Sequence, residues 1–107
     1  MNKYNVKILD EAKEDIKKII IYIKKKLKEP EIAKQHSKAF KEEISKLKDT
    51  ADIYNVIDNE IIGKNDIRKI MVKNFMVFYK IIEDIKEVQI IAVYYFGSNW
   101  QKRVKYR

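Results

Sequence analysis

Residues 68–100 read RKIMVKNFMVFYKIIEDIKEVQIIAVYYFGSNW. Runs of β-branched and aromatic residues lie in and beside this stretch at Ile67 to Val72, Phe75 to Ile82 and Val88 to Tyr95. That composition favours strands. The intervening turns, Lys73-Asn74 and Glu83 to Glu87, are short, and short links between successive strands imply antiparallel pairing. The stretch therefore predicts an antiparallel meander, preceded by a weaker strand signal at Ile53 to Ile57.

Upstream the period changes. Tyr4, Val6 and Ile8 alternate with Asn5 and Lys7, the pattern of a short strand with one buried face. Asp10 then stands where it can cap a helix, with Glu11 and Glu14 in the first turn to suit the helix dipole. Ala12, Ile16, Ile19, Ile20, Ile23 and Leu27 share a stripe at ~100° per residue. Ile21 and Tyr22 lie off that stripe, and Ile21 reads as an ordinary exposed isoleucine rather than a partner surface.

Lys28-Glu29-Pro30 ends the helix, and Pro30 suits the first turn of a second one. Ala33, His36, Phe40, Ile44 and Leu47 form the apolar face of that helix, so His36 is expected to be packed or half-buried rather than a catalytic base. The expected architecture is α+β in the order β-α-α-β-β-β: an antiparallel sheet meander with a helical hairpin on one face. The opposite, concave face, bearing the basic tail, would be the binding surface.

The chain has 107 residues, room for one domain spanning 1–107. Its apolar content of 46%, with two glycines and one proline, is that of a folded protein. There is no cysteine and a single histidine, His36, so neither a disulfide scaffold nor a thiolate or clustered-histidine metal site can form. No metal or cofactor is expected. The longest apolar run of the helical half, Ile19 to Ile23, is far short of the ~20 residues that span a bilayer, and the amino terminus does not read as a leader. A cytoplasmic location with no membrane partner is the expectation.

The formal charge of +8 is unevenly placed: residues 97–107 carry four basic side chains and no acid. Such a surface favours nucleic acid, an acidic protein or an anionic surface. Lysine dominates, and the arginines are Arg68, Arg103 and Arg107. A guanidinium in mid-strand implies a fixed partner for Arg68: a bound phosphate or carboxylate, or an acid of this chain such as Asp58, Glu60 or Asp66.

The order of elements, and residues at specific places in it, resemble the RelE/ParE toxin superfamily, the plasmid-stabilisation-like toxins of type II toxin-antitoxin systems. The resemblance is carried by Ala12, Asp15-Ile16, Tyr22-Ile23, Pro30, Tyr54, Arg68-Lys69-Ile70, Asn74-Phe75, Val77-Phe78-Tyr79 and Trp100. It implies a growth inhibitor silenced by a cognate antitoxin, with operator DNA contacted only through that antitoxin. ParE-like members inhibit DNA gyrase; RelE-like members enter the ribosome and cleave mRNA without metal.

RNA cleavage without metal needs a base, an acid and cations on the phosphorane. On the nuclease reading Arg68, Lys73, Tyr95, Trp100 and Arg103 would be the catalytic candidates. RelE-like nucleases place arginines at the start of the VFY-type strand and just after the last strand, where this chain has Met76 and, approximately, Phe96. The following loop, Phe96-Gly97-Ser98-Asn99, lacks their basic cluster. Gyrase is therefore the favoured target. A ribosome-dependent mRNA endoribonuclease and a degenerate toxin that only binds its antitoxin are the alternatives. The target-binding or nucleic-acid candidates are Arg68, Lys69, Lys73, Trp100, Lys102, Arg103, Lys105 and Arg107. Trp100 can either stack on a base or plug the edge of the core, and Tyr79 and Tyr95 are equally open between site and core.

Overall fold

The computed structural model of the chain describes residues 3–57 and 66–107. Strand β1 (Asn5–Ile8) leads into α1 (Asp10–Ile21), a π-helical turn (Tyr22–Lys26) and α2 (Pro30–Thr50). The chain returns through a 3-10 turn (Ala51–Ile53) to β2 (Arg68–Val72), β3 (Phe75–Ile82) and β4 (Glu87–Tyr95), and α3 (Trp100–Val104) follows. The strands lie in the order β1-β4-β3-β2. The meander pairs antiparallel as expected, whereas β1 joins β4 in parallel, so the sheet is mixed.

Central strands β3 and β4 are apolar almost throughout because both of their faces are covered. Under α1 and α2 lie Ile70, Val72, Val77, Tyr79, Val88, Ile90 and Val93, packed with Phe40, Ile44 and Leu47 of α2. On the other face Met76, Phe78, Ile91, Ala92 and Tyr94 pack with Val104, and half-buried Trp100 closes the edge. A bulge allows this division. Phe78 pairs with Ala92 and Tyr79 with Ile90, which leaves Ile91 unpaired and puts Ile91 and Ala92 on the same side.

Several expectations change. The cap position of α1 is Leu9, without a side-chain cap bond, and Asp10 and Glu11 form the first turn. Leu27 leaves the buried stripe and is 51% exposed. The π turn inserts extra backbone per turn and so rotates the residues after Ile23 out of register. Pro30 does open α2, and the face from Ala33 to Leu47 is buried apart from half-buried His36.

Ile53 to Ile57 is not a strand: only Val56 bridges to Arg68. Side-chain bonds hold the start of this segment and the residues just before it in a turn. The buried Tyr79 hydroxyl donates to Ala51 O at 2.7 Å, and the Arg68 guanidinium donates to Tyr54 O and, at 3.4 Å, to Asp52 O. Nor is the face opposite the helices an open concave surface. The basic tail folds into α3, which covers that face, and Val104 is fully buried.

Candidate functional site

The residues singled out for function do not converge. Arg68 shares the helix-facing side of β2 with Ile70 and Val72, and its described partners are backbone carbonyls. Of the acids named for it, Asp58 and Glu60 lie outside the described residues. Lys73 sits at the β2–β3 turn, exposed, with a left-handed φ of 56°. Tyr95 also lies on the helix side, 48% exposed, with its ring 5.9 Å from Phe75 and 4.9 Å from Phe96.

Trp100 and Arg103 belong to the opposite face. The Trp100 ring lies 5.1 Å from that of Phe78, with Lys69 Nζ 5.1 Å from its centroid. The Arg103 guanidinium stacks 4.3 Å from the Tyr94 ring and that of Arg107 lies 5.4 Å from it. Burial raises the Tyr94 phenol above its ordinary pKa, opposed by Arg107 and Arg103. Lys102 and Lys105 are exposed. Of the stack-or-plug alternatives for Trp100, the contact with Phe78 is a packing contact.

Arg107 is committed within the fold. Its guanidinium forks onto Asp15 at 2.6 and 3.1 Å, meets Glu11 at 2.6 Å and donates to Ile91 O at 3.1 Å. The hydrogen bonds to the Asp15 carboxylate hold the Arg107 pKa above even its usual high value. Asp15 also accepts from the Val93 N–H at 2.9 Å. The register explains why. Strand β1 ends where Ile8 faces Ile90, so beyond it the β4 edge has unpaired backbone groups, and Asp15 and Arg107 satisfy them. The continuous apolar run of β4 signals burial on both faces of the sheet, and so the cover by α3, but it carries no sign of this edge pairing.

A second surface was not anticipated. Between the hairpin tip and the end of the sheet that carries the β2–β3 turn lies a groove of about 620 Å³, whose lining includes Tyr22, Leu27, Ile32, His36, Phe75 and Tyr95. Four of these are large exposed apolar side chains. His36 Nδ1 lies 3.0 Å from Ile32 O and its ring meets Phe75 edge-on at 5.8 Å. Lys24, Lys25, Lys26 and Lys28 stand exposed on the tip beside the groove. The off-stripe position of Tyr22 was its trace in the sequence; the exposure of Leu27 had none, because it depends on the π turn. Gly97 lies close against Tyr95 of this lining, since a Cβ there would lie 2.7 Å from the Tyr95 ring.

Among the described residues no group of three or more His, Cys, Asp or Glu side chains gathers as a metal site. No described helix is long and apolar enough to cross a membrane.

The sequence pattern of the family described as the ParE toxin of type II toxin-antitoxin system, parDE, matches residues 6–99. Among solved structures, the chain is similar to one from the chromosomal ParDE toxin-antitoxin system of P. aeruginosa. The two are 19% identical with a TM-score of 0.71, over 87% of this chain and 96% of that one. It is also similar to a chain of the archaeal RelE-RelB complex from Pyrococcus horikoshii OT3, at 19% identity and a TM-score of 0.59 over 89% and 97%. A chain of the toxin-antitoxin complex RelBE2 from Mycobacterium tuberculosis gives 15% identity and a TM-score of 0.56 over 87% and 98%. These structural likenesses are likenesses of fold. No curated protein matches the chain in sequence.

Proposed function

Because this chain belongs to the family of ParE toxins of type II toxin-antitoxin systems, we propose that it acts in the cytoplasm as a growth inhibitor that binds a protein target, DNA gyrase, and is silenced by a cognate antitoxin. Residues 1–107 serve as one toxin domain in this reading. The observation that carries the choice of target is the separation of the candidate catalytic side chains: Arg68 and Tyr95 on one face, Trp100 and Arg103 on the other.

General acid-base cleavage requires its groups within hydrogen-bond reach of one phosphate. A sheet between them prevents that. Met76, at a position where RelE-like nucleases carry arginine, is buried at 4% exposure and supplies no cation. An apolar groove beside a lysine-rich tip suits a protein surface, including that of an acidic antitoxin, better than a polynucleotide. Purified toxin is expected to inhibit gyrase supercoiling in proportion to its concentration, and antitoxin to reverse the effect. Supercoiling unchanged at saturating toxin would reject gyrase as the target.

The runner-up is a ribosome-dependent mRNA endoribonuclease, favoured by the cation-aromatic cluster of Lys69, Trp100, Tyr94 and Arg103. Single-stranded RNA is gripped by such surfaces. Primer extension on mRNA in translating extracts would then show toxin-dependent cuts, which the gyrase reading does not produce. A toxin active in neither assay, whose expression leaves growth unchanged, would be the degenerate form.

A further inference from the structure

We infer that the groove at the hairpin tip is the surface through which the toxin holds gyrase, and that its occupant is an amphipathic helix of gyrase with acidic residues beside an apolar stripe. The inference rests on gyrase as the target; it adds the face that is used and the chemistry of the segment bound.

The backbone around the groove calls for a helix. Phase and pairing leave little there for an extended segment to join: Phe75 and Tyr95 belong to β3 and β4, the two central strands. Phe96 donates to Asn74 O at 3.0 Å, and Tyr95 O accepts from the Ser98 N–H at 3.0 Å. The facing wall is helical, with Leu27 donating to Tyr22 O at 3.2 Å and Glu29 to Ile23 O at 3.1 Å. An extended segment laid over this apolar floor would leave its own backbone groups without partners. A helix satisfies them internally and seats itself by apolar anchors one turn apart.

The side chains specify the rest. Tyr22, Leu27, Ile32 and Tyr95 are between 41% and 54% exposed around one groove, and a grouped apolar surface of this kind marks a binding site. The π turn that brings Leu27 out is followed by Lys28 at a left-handed φ of 54°; such turns recur at functional positions. From Ile16 to Lys28 the chain carries six lysines and no acid. Among the described residues none of the six is in an ion pair. Lys18 and Glu29 are the charged residues of the lining itself, so the surroundings are cationic and acids flanking the bound helix meet them. A second copy of this chain would bring the same lysines, and like charges repel.

The test uses the whole toxin and whole gyrase. Tyr22→Ser with Leu27→Ser is expected to raise the toxin concentration that half-inhibits supercoiling about tenfold or more. Lys24→Ala with Lys25→Ala and Lys26→Ala is expected to raise it about tenfold, and by more at low salt than at high. Lys7→Ala with Lys38→Ala, exposed side chains outside the lining, is expected to leave it unchanged. Unfolding midpoints check that each variant folds. The chain has no cysteine, so a benzophenone carried by Lys25→Cys sits at one place on the groove's rim. Photolysis is expected to join it to a helical, acidic segment of gyrase, and the same probe on Lys38→Cys to form no such link.

Wild-type toxin that leaves supercoiling unchanged removes gyrase as the target and this inference with it. Wild-type toxin that inhibits, with folded groove variants inhibiting equally well, overturns this inference alone. A cross-link to an extended or basic segment of gyrase, or one formed equally from Lys38→Cys, overturns it too.

Discussion

The two faces of the sheet have covers of very different size: the 12-residue α1 and 21-residue α2 on one side, and the five-residue α3 on the other. The large cover is held mainly by apolar burial, with Phe40, Ile44 and Leu47 seated among the side chains of β2, β3 and β4. Its polar anchors, Tyr79 and Arg68, serve the turn after α2. A single turn of helix buries too little to hold by itself. α3 adds Trp100 and Val104 to the core, and the Arg107–Asp15 pair ties the chain beyond it to α1 and to the β4 edge. The contrast teaches that tail charges which read as binding groups are partly fasteners.

The largest expected effect breaks the smaller cover. Asp15 is 10% exposed and Arg107 19%, so Asp15→Ala takes the forked acceptor from a half-buried guanidinium, which keeps Glu11 and Ile91 O, and leaves the Val93 N–H without its acceptor. A loss of ~2 to 4 kcal/mol in urea unfolding is expected, the Glu11 carboxylate still compensating part of the Arg107 charge. Hydrogen exchange should show α3 losing protection while α2 keeps it. Equal loss in both would mean that the faces do not open separately.

The helix-covered face gives the next effect. Tyr79→Phe removes the donor to Ala51 O and is expected to cost ~1 to 3 kcal/mol. Burial holds the Tyr79 phenol above its ordinary value of 10.0, the Arg68 charge opposing this. The stabilisation from a raised pKa is complete below the unfolded value and is lost as pH rises towards the folded one. Wild-type stability should therefore decline above the ordinary tyrosine pKa, and Tyr79→Phe should decline less steeply. Matching alkaline limbs would assign the decline to other groups.

Smaller effects sharpen the functional contrast. In Gly97→Ala the new methyl meets the end of the Tyr95 ring, which can swing aside, so less than about 1 kcal/mol of stability is expected to be lost. The Tyr95 resonances should move and gyrase inhibition weaken. Unchanged inhibition would remove Tyr95 from the target surface. Lys102→Ala with Lys105→Ala should change stability by less than about 0.5 kcal/mol. On the nuclease reading, removing each lysine that binds a phosphate also lowers the salt slope of RNA binding by about one; an unchanged slope would leave the tail without a role in binding RNA.

Much of this molecule was legible in one dimension. The strands at Phe75 to Ile82 and Val88 to Tyr95, the opening of α2 at Pro30 and its buried face follow from short-range rules, because period, turn chemistry and backbone sterics act over a few residues. The same local readings failed where a distant group decides. Ile53 to Ile57 has strand composition, yet Tyr79 and Arg68 hold the start of that segment as a turn. Leu27 fits the α1 stripe until the π turn shifts the register.

The site was less legible than the fold for the same reason. Residue type alone marks Arg68, Trp100 and Arg107 as candidates, but whether a cation is free depends on what folds back to meet it. The sequence by itself determined the order β-α-α-β-β-β, the apolar faces, the cationic tail and the family pattern, but not α3. These are properties of the chain's local chemistry. Only the tertiary structure decided that β1 stops short along β4, that Asp15 and Arg107 complete the bonding there, and that candidate residues lie on opposite faces of one sheet. Those outcomes rest on contacts between residues as far apart as 15 and 107, which no periodicity encodes.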